Sequence, residues 1–142
     1  MSLDRFRCTL VTIRAEDTVE AAARLMRDRR VGSLLLVRAG RPIGIVTDRD
    51  LVIRALAEGR DGVRTTVGDV ATYDPITVSV GDGIETAVFL MRKHGIRRLP
   101  LVDEAGLGIG IVTADDLLVL FGGEIAGLGE GLENRTDSED SR

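Results

Sequence analysis

From residue 17 onward the apolar residues Val19, Ala22 and Met26 fall three and four positions apart, and Ile84, Ala87 and Met91 repeat that spacing later in the chain. The period places each trio on one face of a helix. Asp17 with Glu20, and Asp82 with Glu85, have the N-cap to N3 spacing that predicts a capping box at each helix start. A short extended piece precedes each helix, LVTI at 10–13 and ITVSV at 76–80. After each helix comes an unbroken apolar run, SLLLV at 33–37 or LPLV at 99–102, as expected of a strand buried on both faces. A glycine-containing turn then leads to a β-rich run that ends in GIVT, at 44–47 and 110–113. A second helix is predicted over about 48–58 and about 114–121. The pattern β-α-β-β-α is thus written twice.

The two copies align in sequence as well. DTVEAAARLMRDRRVGSLLLV (17–37) and DGIETAVFLMRKHGIRRLPLV (82–102) are identical at nine of 21 positions. The offset is 65 there and 66 at GIVT, so one residue is inserted between Val102 and Gly110, where a hairpin loop is expected. A unit of ~60 residues buries little surface by itself. The predicted fold is therefore α/β (α+β), two pseudo-symmetric repeats packed sheet to sheet around a shared core. Residues 8–60 form the first repeat and 76–126 the second. Residues 61–75, with Gly62, Gly68 and Pro75, read as a linker holding at most one short turn. Residues 127–142 are polar and acidic and are expected to be a disordered tail.

Composition narrows the function. The net charge is −4 and aromatics are 3% of the chain, which disfavours a nucleic-acid binder needing a basic surface and stacking rings. The basic residues cluster only locally, at Arg27, Arg29 and Arg30 and at Arg97 and Arg98. Cys8 is the single cysteine and His94 the single histidine, which argues against an internal disulfide, a Cys/His metal site or a Cys–His nucleophile. Cys8 is expected to pack as a small apolar residue, and His94 with Gly95 to end a helix. The charged N-terminus MSLDRFRCTLVTIR is unlike a signal peptide, and no apolar run has membrane-spanning length. Cytoplasmic residence and no membrane association are the expectation.

Two readings of GIVT-x-x-D stand side by side. A threonine at the N-cap with an acidic residue at N3 is good helix-start chemistry. The same geometry offers free N–H groups at a helix N-terminus, a carboxylate able to accept hydrogen bonds from a sugar's vicinal hydroxyls and a hydroxyl that donates and accepts. A ribose phosphate suits that set.

The duplicated pattern, both GIVT motifs and HGIRRLPLVDEAG closely resemble a tandem pair of CBS domains, a Bateman module, over about residues 8–125. The resemblance implies regulation rather than catalysis, with an adenosine-containing ligand (AMP, ADP, ATP or S-adenosylmethionine) held between the repeats and no required cofactor. It implies two sites, Thr47 with Asp50 and Thr113 with Asp116, each completed by the other repeat. Thr77, Arg97 and Arg98 would face Asp50, and Thr12, Gly32 and Ser33 would face Asp116. Arginine forks suit phosphate oxygens, so the Asp50 cleft is expected to prefer phosphorylated nucleotides. Asp48 and Asp115 are expected to be solvated helix-start charges and Arg49 a surface residue. Many family members carry methionine where this chain has Ala71.

No nucleophile, base or glycine-rich phosphate loop accompanies the carboxylates, so no catalytic residue or metal ligand is assigned. Two functions remain: an adenosyl-ligand sensor, or a ligand-free scaffold for interaction and dimerisation. Because the second helices, DLVIRALAEG and DDLLVLFGGEIAGL, carry surplus apolar residues, a homodimer is expected, with an effector protein as the other possible recipient of the signal.

Overall fold

A computed structural model describes the backbone of residues 1–139 and the side chains of residues 1–132. After a 3₁₀ turn at Leu3–Phe6 the first repeat runs β1 (Thr12–Ile13), α1 (Val19–Arg29), β2 (Ser33–Arg38) and β3 (Arg41–Thr47). It continues through α2 (Asp48–Asp50), a π-helical segment (Leu51–Leu56), α3 (Val67–Val70) and β4 (Thr72–Tyr73). The second runs β5 (Val78–Ser79), α4 (Ile84–His94), β6 (Arg98–Val102), β7 (Gly108–Thr113) and α5 (Ala114–Glu139). One sheet has the order β1-β2-β3-β4, the other β5-β6-β7. In each, the short first strand pairs parallel with the next, and that strand pairs antiparallel with the GIVT strand. Among the described residues, no helix is long and apolar enough to cross a membrane.

The helical trios seen in the sequence are buried, Val19, Ala22 and Met26 on α1 and Ile84, Ala87 and Met91 on α4. The central residues of β2 and β6 are buried too. Rather than one shared core there are two clusters. One gathers α1 and α3 with Leu34, Leu36 and Val46, the other α4 with Leu99, Leu101 and Val112. Side chains alternate across a strand, so each sheet turns one face to its own helices. The units meet along their hairpins, where Gly108 N donates to the Gly40 carbonyl at 2.9 Å.

The helix starts differ from the expected boxes. Thr18, not Asp17, caps α1 by accepting from Ala21 N at 3.1 Å. Asp17 instead accepts from Arg14 N and from the Arg14 guanidinium, and that partner holds its carboxyl below the usual range. Gly83 is the N-cap of α4, and Asp82 accepts from Ser79 N. In both cases the acid closes the tight turn into the helix, one residue earlier than the spacing predicts. His94 is the last residue of α4, and Gly95 follows in the left-handed conformation.

The segment expected to be a linker is folded onto the first unit. Val67 and Val70 are buried in that unit's cluster, and Val67 N donates to Asp17 O at 2.7 Å. β4 then extends the sheet, pairing Tyr73 with Gly44. The second unit receives the matching service from the N-terminus. Leu3 is fully buried among Val78, Ile84 and Leu99, and Arg7 pairs with Gly110. Gly44 and Gly110 are the first residues of the two GIVT phrases. A Cβ at Gly44 would lie 3.2 Å from the Thr72 carbonyl oxygen, and one at Gly110 would collide with that of Phe6. At Gly110 only glycine admits the neighbouring backbone, and at Gly44 a side chain would make the approach tight.

Two further expectations change. Cys8 is exposed rather than packed. Where a disordered tail is predicted from residue 127, the described backbone continues α5 to Glu139. No proline interrupts it, and Leu128, Glu130 and Leu132 are good helix formers; residues 140–142 lie outside the described residues.

Leu3→Ala is expected to cost about 2–5 kcal/mol in urea unfolding, as for a core leucine, although it is the third residue of the sequence. A loss below about 1 kcal/mol would mean the second unit closes without the N-terminal segment.

Candidate functional site

Each GIVT strand ends in a threonine that caps the following helix. In the first repeat Thr47 Oγ1 accepts from Asp50 N at 3.1 Å and Asp50 Oδ2 accepts from Thr47 N at 2.9 Å, a closed capping box. In the second, Thr113 Oγ1 accepts from Asp116 N at 3.0 Å. The return bond is missing, and among the described residues the Asp116 carboxylate has no hydrogen-bond or ion-pair partner. The near-identical phrases therefore differ where the chemistry lies.

Arg54 widens the difference. One turn beyond Asp50, its Nε lies 3.7 Å from Asp50 Oδ1. Its Nη1 donates to the Val70 carbonyl at 3.0 Å and to Thr72 Oγ1 at 3.2 Å. Asp50 is thus tied to the segment that closes the first unit. Leu120 stands at the matching place in the second repeat and offers no charge.

A cavity of about 340 Å³ opens beside Asp116. Thr113, Asp115 and Asp116 line it from the second repeat, and Gly32 and Ser33 from the first. Thr9 and Val11 reach it where Thr12 was expected, and Leu10, Val31, Leu35 and Ile111 give it apolar walls. Thr12 is exposed on β1 and outside the cavity; Thr47, Asp50 and Thr77 do not line it either, and Thr77 is exposed.

Arg97 and Arg98, expected to face Asp50, line this same cavity with Asp116. The two strand starts, 32–33 and 97–98, converge at the junction of the repeats. Arg98 Nη2 lies 2.8 Å from where a Gly32 Cβ would stand and 4.0 Å from Asp48 Oδ1. The side on which so long a side chain rests is a matter of packing. Arg97 Nη2 donates to Asp115 Oδ1 at 2.8 Å, so Asp115 is paired rather than merely solvated. Both members of that pair are exposed; such a pair contributes little and can exchange partners.

Arg30 also lines the cavity and was missed in the sequence. It caps α1 in the left-handed conformation, φ 55° and ψ 45°, where the second repeat has Gly95 at φ 63°. A side chain in that conformation costs about 1–2 kcal/mol. The available signal was an arginine standing where its sister copy places the residue the backbone prefers. Three arginines, an open carboxylate, a threonine hydroxyl and apolar walls can together hold an anionic group, vicinal hydroxyls and a flat apolar ring.

Two duplicated β-α-β-β-α units that share a cleft define a class of tandem-repeat module. The CBS domain model matches residues 6–56 and 67–123, and the chain belongs to that family. It is 38% identical to the CBS domain-containing protein YhcV of Bacillus subtilis, over 82% of this chain and 81% of that protein. The structure resembles the CBS domain protein PAE2072 from Pyrobaculum aerophilum complexed with AMP, at a TM-score of 0.75, with 27% identity covering 82% of this chain and 90% of that one. It also resembles the CBS domain pair of MJ0100 in complex with 5′-methylthioadenosine and S-adenosyl-L-methionine, at a TM-score of 0.78, with 25% identity covering 87% and 98%.

Two stability measurements follow from the asymmetry. Asp50→Ala should lose about 1–2 kcal/mol, because a part-buried charged hydrogen bond disappears. Asp116→Ala should lose only a few tenths, the helix-dipole contribution alone. Equal losses would show that the second capping box closes in solution. Arg30→Gly should raise stability by up to about 1 kcal/mol by relieving the left-handed backbone; a lower stability would show that contacts of the arginine outweigh the strain.

Proposed function

We propose that this chain is a non-catalytic regulatory module that binds an adenosine phosphate, AMP or ADP in preference to S-adenosylmethionine, in the cavity beside Asp116. The observation that carries this is the coincidence of one unpartnered carboxylate with Arg30, Arg97 and Arg98 around one apolar-walled cavity. The carboxylate suits ribose hydroxyls, the guanidinium groups suit phosphate oxygens, and the apolar walls suit adenine. A sulfonium ligand would meet three cations in place of the phosphate. AMP, 5′-methylthioadenosine and S-adenosyl-L-methionine, the ligands of the two similar structures, all carry adenosine. In this chain the closed box at Asp50 leaves the first motif less available.

Signalling follows from where the cavity lies. Its lining comes from both repeats, so a ligand that favours one placement of the repeats shifts the population toward it. The recipient is a protein partner or a second copy of the chain. A ligand-free scaffold is the competing outcome.

Thermal unfolding with AMP, ADP, ATP and S-adenosylmethionine separates them. At 100-fold above Kd a ligand adds ~2.7 kcal/mol, a shift on the order of 5–10 °C at this size. AMP or ADP is expected to give the larger shift, lost in Asp116→Ala and kept in Asp50→Ala. Loss in Asp50→Ala alone would move the site to the first motif; no shift with any adenosyl compound would leave the scaffold.

A further inference from the structure

Charge crosses between the repeats at one place. Among the described residues, Arg98 with Asp48 is the one ion pair whose members belong to different repeats. Arg98 starts β6 in the second repeat, and Asp48 opens α2 in the first. Arg98 Nη2 stands 4.0 Å from Asp48 Oδ1, and no hydrogen bond joins the two side chains. Gly32 leaves room for this approach. A Cβ there would lie 2.8 Å from Arg98 Nη2 and 3.2 Å from Asp48 Oδ2, so with a side chain at that position the arginine would have to shift.

The two partners are not held alike. Asp48 N donates to the Gly32 carbonyl at 3.0 Å, and Asp48 Oδ1 accepts from Arg49 N at 2.8 Å, so the backbone fixes the carboxylate. The Arg98 guanidinium has no such bond and sits at the end of a long stem. Arg98 lines the cavity beside Asp116, and Asp48 does not. The guanidinium therefore stands between a carboxylate outside the cavity and the space within it. One ionic contact at 4.0 Å leaves its planar fork of donors unused. A phosphate engages that fork fully, through two parallel bonds. Arg97 is paired as well, with Asp115, but that carboxylate belongs to the same repeat and lines the cavity itself.

We propose that Asp48 is a positioning residue that competes with the ligand's phosphate for Arg98, and so sets how strongly the cavity prefers adenosine phosphates over adenosine. The inference rests on the adenosine-phosphate reading of that cavity. Without a phosphate, Asp48 draws Arg98 across Gly32 and ties the second repeat to the first. With a phosphate bound, Arg98 turns inward and the tie is released. Each event opposes the other, so phosphate binding and the contact between repeats are linked by one coupling free energy. Asp48 is exposed and the pair is loose, so the effect is that of a solvated ion pair, about two- to fivefold in affinity. The nucleoside part of the ligand makes no demand on Arg98, and adenosine is indifferent to Asp48.

Titration calorimetry on the full chain tests it, with AMP and with adenosine, on wild type, Asp48→Asn, Arg98→Ala and the double variant. Asparagine keeps the size of the side chain and an oxygen for the Arg49 N–H. Asp48→Asn should tighten AMP about two- to fivefold and leave adenosine unchanged. In the Arg98→Ala background the same substitution should change AMP affinity by less than about 1.5-fold, since the two residues act as one unit. The gain in AMP affinity should shrink when the salt is raised from about 0.05 to 0.5 M, as screening of an exposed pair requires. A merely structural role for Asp48 would move both ligands together. Wild type that binds neither AMP nor adenosine overturns the reading of the cavity, and this inference with it. Wild type that binds AMP, with an AMP-to-adenosine ratio that Asp48→Asn leaves unchanged or lowers, or an AMP affinity untouched by Arg98→Ala, overturns the role of Asp48 alone.

Discussion

Everything in this molecule depends on a backbone approaching a glycine. Gly44 on β3 and Gly110 on β7 each lie against a segment from outside the β-α-β-β core of their unit, Thr72–Tyr73 in one case and Phe6–Arg7 in the other. A side chain at Gly110 would hold the Phe6–Arg7 segment off and cost Leu3 its buried place, and one at Gly44 would push against the Thr72 carbonyl. The closing segments come from different parts of the chain. The stretch between the repeats closes the first, and the stretch before them closes the second. The N-terminus is therefore joined to the far end of the chain through the second core.

The same closure reaches the candidate site. The segment that completes the first unit holds the Val70 carbonyl and Thr72 hydroxyl that Arg54 binds, and Arg54 in turn lies against Asp50. The second unit has leucine at that place, and its carboxylate faces an open cavity. Duplication supplied two equal motifs; Arg54 ties the carboxylate of one to the closing segment, and the carboxylate of the other is left without a partner among the described residues. The left-handed backbone of Arg30 falls on the side of the cavity, where its side chain joins the lining.

The repeat, the buried faces of α1 and α4 and the strands were legible because each leaves a periodic trace: helical spacing in the trios, unbroken apolar runs in β2 and β6. The capping acids were displaced by one residue, since Asp17 and Asp82 serve turns whose bonds run backward to Arg14 and Ser79. The folded character of 61–75 was obscured by its glycines and polar residues; Val67 and Val70 are too few to show a period. At the site, the motif residues Thr113 and Asp116 were readable as a motif. Arg30 and the side taken by Arg97 and Arg98 were not, because a long side chain's direction depends on what the other repeat leaves vacant.

By itself the sequence determined the duplicated β-α-β-β-α units, the buried helix faces and the threonine–aspartate pairs at both strand ends. These rest on local periodicity and on bonds between residues three apart. Tertiary structure decided which segment closes which unit, which carboxylate stays free and which cleft collects the cations. Those depend on contacts such as Arg54 with Val70 and Arg98 beside Gly32, between residues distant in the chain, which no spacing along it encodes.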